Sequence, residues 1–284
     1  MMFTTPNWIT QHNNNFQTVA EIPPYIFDEI NQRLAHHAHP EPQVSILIAA
    51  WNEETNILNC ISSLSALETK IPFEIIVVNN NSTDKTQETL DRLDIISFFQ
   101  PIQGCGPARQ LGQEKARGKY ILLADADCIY PSCWLDEMMA VLVKDNVVCV
   151  YGRYSFIPEA GYSRWKLFFL ERMKDAIAEV RHFKRPYLNA YGISMGYVKE
   201  LGLKVGYVMY KIWGDDGRLC FDLMQFGKVK QMKNNRARVW TRPRTLQRDG
   251  SFSKAIGRRI KKELKRLSSM LSPLPPHDTK TSKN

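Results

Sequence analysis

Five short apolar runs, separated by stretches of helical spacing, constrain this chain of 284 residues more than any other feature. They are VSILIA (44–49), FEIIVV (73–78), IISFF (95–99), YILLA (120–124) and VVCVY (147–151). Each is short and mostly apolar, which predicts a strand covered on both faces. Ile57, Ile61 and Leu64 fall at helical spacing between the first two runs. Ser82 or Thr83 can cap a helix from near Asp84, and Gly104-Cys105-Gly106-Pro107 turns into one reaching about Ala116. Strands alternating with helices predict an α/β fold, a mostly parallel sheet flanked by helices. Ligands of such sheets sit at the carboxyl ends of the strands, so polar clusters there are the candidates for function.

The flanks have a different texture. Residues 1–42 read as an N-terminal extension with one short helix after Pro23-Pro24, closed off by Pro40 and Pro42. Residues 43–245 read as the single α/β domain. Within it the alternation breaks after Arg153. A long amphipathic helix (162–183), the stretch YLNAYGISMGYV, a Gly-Asp-Asp turn, a helix to about Phe226 and the short strands KVKQM and RARVW follow. Residues 246–271 read as a basic amphipathic helix, and 272–284 as a disordered tail.

Composition excludes several classes. No run of about 18 apolar residues occurs, so no membrane-spanning helix is expected. The start, MMFTTPNWITQHNNN, lacks the basic and apolar regions of a secretory signal. Six cysteines stand singly without a C-x-x-C pair, against a zinc site or a disulfide framework and in favour of a cytoplasmic protein. Of the net charge of +9, the segment 254–267 holds +6, from seven basic residues and one acid. Its Ile256, Ile260, Leu264 and Leu267 share one helical face, a pattern that suits an anionic membrane surface, here the inner face of the plasma membrane. The same face could instead dock on the body. No nucleic-acid reader motif accompanies the basic charge, so nucleic acid is not an expected partner.

Four clusters lie at predicted strand or helix ends. Asp125-Ala126-Asp127 follows YILLA; residues two apart in extended chain point the same way, so two carboxylates would project together. Such a pair suits Mg2+ or Mn2+ with substrate phosphates, or else merely caps the next helix. Trp51-Asn52-Glu53 and Asn79-Asn80-Asn81 offer an aromatic and amides suited to a nucleoside, or ordinary turn residues. Gly104-Cys105-Gly106 lacks the third glycine of a dinucleotide fingerprint and has Arg109 in its place, which could clamp a diphosphate. Gly214-Asp215-Asp216-Gly217 could supply a general base or cap a helix.

In this order and spacing the segments resemble family 2 glycosyltransferases of the GT-A, Rossmann-like fold. VSILIAAWNEE, EIIVVNNNSTDKT, GPARQLGQEKARGKYILLADADC and GDDGRLCFDLMQFGKV carry the likeness, the first three over about residues 44–135. The resemblance implies an inverting transfer from a nucleoside-diphosphate sugar, of UDP or GDP type, to a glycan or lipid-linked acceptor in surface or exopolysaccharide synthesis. It implies that Ala49, Trp51 and Glu53 border the nucleoside and that Asn79 faces the base edge. It places Arg109 near the diphosphate and makes Asp127 the metal ligand, with Asp125 and the intervening Ala126 beside the nucleotide. It makes Asp216 the catalytic base, with Asp215 next to it, and Mn2+ or Mg2+ the cofactor. Asn79 departs from the family's usual Asp, and Ala49 from its opening Pro. A nucleotidyltransferase of similar fold is the alternative enzyme class, but AAWNEE lacks the Gly-rich basic loop expected there. A nucleic-acid-binding protein acting through the basic tail is the alternative outside enzymes.

Overall fold

A computed structural model describes residues 3–210 and 214–244, together with Leu246 and Gly257. The basic helix and tail expected after residue 246 otherwise lie outside the described residues. The apolar runs form strands: β1 (Val44–Ala50), β2 (Phe73–Asn79), β3 (Ile96–Phe99) and β4 (Tyr120–Asp125). The helices between them are α2 (Asn56–Ser65), α3 (Thr86–Leu90) and α4 (Cys105–Lys115), after a first helix α1 (Pro24–His37). Beyond β4 come β5 (Cys128–Ile129), α5 (Trp134–Leu142), β6 (Val147–Tyr151), β7 (Tyr154–Phe156) and α6 (Arg164–Lys184). The chain continues through β8 (Met195–Val198), α7 (Lys199–Val205), α8 (Asp215–Leu223), β9 (Lys228–Gln231) and β10 (Val239–Thr241).

The main sheet has seven strands in the order β3-β2-β1-β4-β8-β6-β9. Six run the same way, and β8 runs against both of its neighbours. Because successive side chains point to opposite faces, each apolar run feeds two cores. Ile46, Ile48, Val77 and Leu122 join one with α2 and α5, while Leu47, Ile76, Val78 and Leu123 join the other with α4 and α8. That two-sided demand explains why these strands are mostly apolar.

Three features add to the sequence reading. Met195–Val198, read only as part of a Gly- and Tyr-rich stretch, is the antiparallel strand at the middle of the sheet. Four residues containing a glycine carry neither alternation nor an apolar run, so local pattern could not reveal it. The N-terminal region also belongs to the main core: Val19, Ile22, Phe27, Ile30 and Leu34 are buried in the first cluster. Third, β5, β10 and β7 make a separate three-stranded sheet. Of its strands of two or three residues only β10 falls in an expected strand, RARVW, and its pairing with β5 returns residues 239–241 to the end of β4. Among the described residues no helix is long and apolar enough to cross a membrane.

Candidate active site

Parallel pairing aligns the carboxyl ends of the central strands. Ala49 of β1 stands opposite Asp125 of β4, and Ala50 opposite Asn79 of β2. The turn after β4 is pinned from below: the Asp125 backbone N–H donates to the Tyr130 hydroxyl at 2.8 Å, which donates to the Ile193 carbonyl at 3.0 Å. Ala126 is buried, so the turn presents its two flanking carboxylates. Ligand atoms of Asp125, Asp127 and Cys128 lie within 4.8 Å of one another. Burial, and then the charges of Asp127 and Asp125, hold the Cys128 thiol well above its usual range, so it stays protonated. Its sulfur donates to Asp127 Oδ1 at 3.2 Å. The anionic donors here are therefore oxygens, the ligand type of Mg2+ and Mn2+.

Arg244 supports the same conclusion. It arrives on the chain leaving β10 and lies between two carboxylates of different elements. Its Nε donates to Asp127 Oδ2 at 3.1 Å and its Nη2 to Glu53 Oε1 at 2.9 Å. Burial pushes the Glu53 carboxyl upward, an effect the Arg244 charge opposes. A cation already stands between these carboxylates, so a divalent ion fits the charge of the place.

Arg109 is the second bridge. It lies in the first turns of α4, with its side chain only 7% exposed. Nη1 meets Asp215 Oδ2 at 2.8 Å and Asp216 Oδ2 at 4.0 Å, and Nη2 meets Asp125 Oδ1 at 3.4 Å. Gly192 makes room: a Cβ there would stand 1.9 Å from Arg109 Nη2. Its N–H also donates to Asp216 Oδ2 at 2.6 Å, while the Gly217 N–H donates to Oδ1 at 2.7 Å. Asp215 and Asp216 are the first two residues of α8, entered through Gly214 at φ +90°, a conformation suited to glycine. Burial first, and repulsion from Asp215, raise the Asp216 carboxyl against the pull of Arg109. Burial likewise pushes Asp125 up to about 7, opposed by Arg109 and reinforced by Asp127.

The structure thus brings Glu53, Arg109, Asp125, Asp127, Asp215 and Asp216 together. Trp51 stands at the rim, 47% exposed, and Ala49 is half-buried at the strand end. Two expected site residues already have partners. Asn79 does not offer a free amide: it is 2% exposed, donates to Gln87 Oε1 at 2.8 Å and accepts from the Ser82 N–H at 3.1 Å. It shapes its loop. Arg109, expected at the diphosphate, is committed below the surface to three carboxylates. Sequence reasoning missed Arg244, Gly192 and Tyr130. Gly192 sat within a noted Gly-rich stretch, but Arg244 lies 117 residues from Asp127 with no local pattern to mark it.

Comparison with known proteins follows this geometry. The chain is 25% identical over 234 residues to a chondroitin synthase of Pasteurella multocida, covering 76% of this chain and 24% of that protein. It is 30% identical over 149 residues to glycosyltransferase AglE of Haloferax volcanii, covering 49% of each. It spans from about a quarter to a half of the length of such curated relatives. The fold matches glucosyl-3-phosphoglycerate synthase of Mycobacterium tuberculosis, solved with Mn2+, UDP-glucose and phosphoglyceric acid, at TM-score 0.54 and 19% identity over 90% of this chain and 88% of that one. It also matches a mannosyltransferase of Pyrobaculum calidifontis, solved with GDP-Man and Mn2+, at TM-score 0.53 and 14% identity over 84% and 76% of the two chains. Residues 45–201, more than half of the sequence, match the glycosyl transferase family 2 model, and with its GT-A sheet and carboxylate cluster the chain belongs to that family.

Proposed function

We propose that this protein transfers a sugar from a nucleoside-diphosphate sugar, of UDP or GDP type, to a hydroxyl of a glycan or lipid-linked acceptor, with inversion at the anomeric carbon. One observation carries the reading: Arg109 ties Asp125, at the end of β4, to Asp215 and Asp216, at the start of α8. A carboxylate suited to a donor's metal and one suited to an acceptor's proton thereby share one buried cation. The relatives named as synthases and transferases, and the fold neighbours solved with nucleotide sugars, support the same class. The relatives named chondroitin and hyaluronan synthase support polysaccharide synthesis as the setting, and our reading places it at the cytoplasmic face of the membrane.

Asp127, with Asp125 beside it, would hold Mn2+ or Mg2+. Bound there, the ion supplies positive charge against which the diphosphate leaves. Trp51 gives the base a surface to stack on, and Glu53 closes the nucleoside side. Arg244, which pairs with Asp127 and Glu53, would have to give up these carboxylates to a bound metal, and its guanidinium could then serve the diphosphate. Asp216 is the base. Its two oxygens are oriented by the N–H groups of Gly192 and Gly217. Its raised proton affinity makes it a better acceptor for the hydroxyl proton than an ordinary carboxylate. Asp215, paired to Arg109, keeps the start of α8 in place.

A panel of nucleotide sugars, each with and without Mn2+, tests the class through release of nucleoside diphosphate. Asp216→Asn should lower kcat by about 10²–10⁴-fold, the usual worth of a general base, while leaving the KM for donor nearly unchanged. Full transfer activity in that variant would remove Asp216 from the role.

A further inference from the structure

Helix α6 exposes one apolar face in addition to the one it buries. A surface helix buries an apolar stripe and exposes charge. In α6 the exposed residues up to position 183 are Trp165, Phe169, Ala176, Val180 and Phe183. Their spacing of 4, 7, 4 and 3 places all of them on one face. The exposures are large: 55% for Trp165, 60% for Phe169 and 94% for Phe183. Phe3, itself half exposed, stacks on Phe168 at 4.3 Å and widens the patch.

The acids of the helix are all paired with bases, Glu171 on its buried side and Glu179, its side chain 41% exposed, beside the stripe. Glu171 Oε1 takes Arg164 Nη1 at 2.8 Å, Asp175 Oδ2 takes Arg238 Nη1 at 2.8 Å, and Glu179 Oε2 takes Lys233 Nζ at 2.8 Å. The helix itself has six Lys and Arg against three acids, and Lys166 and Lys184 flank the stripe near its two ends. An apolar face of this extent on a monomer marks a contact surface.

We propose that the exposed face of α6 is a membrane-docking surface, lying flat on an anionic lipid bilayer with Trp165, Phe169 and Phe183 in the interfacial layer. Charge selects this occupant over the others. A second copy docked face to face would set Lys166 and Lys184 against their equivalents. The chain's own segment 254–267 has net charge +6 and would also bring like charge to a basic helix. An anionic headgroup layer answers the lysines while the acyl boundary takes the aromatics. Leu246 packs with Leu167 and Leu170 on the buried side of this helix. The basic segment therefore starts eight residues from a point on α6, and both features can meet one surface. The stripe from Trp165 to Phe183 is about 27 Å long at 1.5 Å per residue, so several interfacial side chains would act together.

Flotation of the full chain with phosphatidylcholine vesicles, with and without phosphatidylglycerol, tests the proposal. The wild type should float with the anionic vesicles. A Trp165→Ser, Phe169→Ser, Phe183→Ser variant, with the basic tail intact, should partition at least tenfold less while its thermal melt and donor hydrolysis stay unchanged. Brominated lipids should quench wild-type fluorescence, and Trp165→Phe should remove that quenching while leaving vesicle binding largely intact. Equal flotation of the triple variant would overturn the assignment, as would a wild type that ignores anionic vesicles. A solution dimer that the triple variant dissolves would also overturn it, assigning the face to a second copy.

Discussion

Two arginines each bridge carboxylates at this site, and they differ in almost every other respect. Arg109 is buried, sits on a helix of the main sheet and binds the groups that open α8. Arg244 is 35% exposed at its side chain, arrives on the last described segment and binds the groups where a donor's metal would sit. Burial decides their roles. Removing one partner of a buried pair strands the others in a poor dielectric, whereas an exposed pair can be exchanged for water or ligand at small cost. One bridge is therefore framework, and the other is a contact that binding can replace.

The largest test of this contrast is Arg109→Ala. It leaves Asp125 and Asp215 without their buried cation and should destabilise the protein by about 3–5 kcal/mol, read by urea denaturation. Arg109→Lys should recover only part of that, because an ammonium cannot reach both carboxylates with a fork. A loss below about 1 kcal/mol for Arg109→Ala would erase the distinction between the two arginines.

Gly192→Ala probes the same bridge without touching a charge. The new Cβ must push Arg109 Nη2 aside from 1.9 Å, which should cost about 1–3 kcal/mol. The loss should not add to that of Arg109→Ala, since the two share one contact. Simple additivity in the double variant would mean that Gly192 matters for some other reason.

Arg244→Ala should cost about 1 kcal/mol or less, as expected for a partly exposed pair. Its main effect should be on the cation site. Titration calorimetry of donor-free protein should find Mn2+ bound several-fold more tightly, since the ion no longer competes with a guanidinium. Unchanged or weaker Mn2+ binding would argue that Arg244 holds the site open for metal.

A pH-dependent effect separates these bridges from the rest of the molecule. Burial, with the Arg33 charge, lowers His12 to about 4, and its Nδ1 lies 2.9 Å from Ser62 Oγ. The unfolded chain takes up this proton near 6.5, before the folded protein does. The contribution of His12 is therefore complete above pH 6.5 and is lost as pH falls toward 4. His12→Asn should flatten the melting temperature over that window. If acid sensitivity there is unaltered, His12 is not its source.

Sequence by itself determined the alternation of strands and helices, the two-sided burial of the sheet, the Asp125-Ala126-Asp127 turn at a strand end and the Asp215-Asp216 pair at a helix start. Those features are local: apolar runs, helical spacing and the capping preferences of Asp and Gly can be read within a few residues. Tertiary structure alone decided that β8 enters the sheet against its neighbours and that Asn79 turns inward. It also decided that Arg109 reaches Asp215 across 106 positions and that Arg244 reaches Glu53 across 191. No periodicity links such residues. An ion pair forms where the packed elements happen to bring charges within a few ångströms, and that proximity is a property of the folded chain.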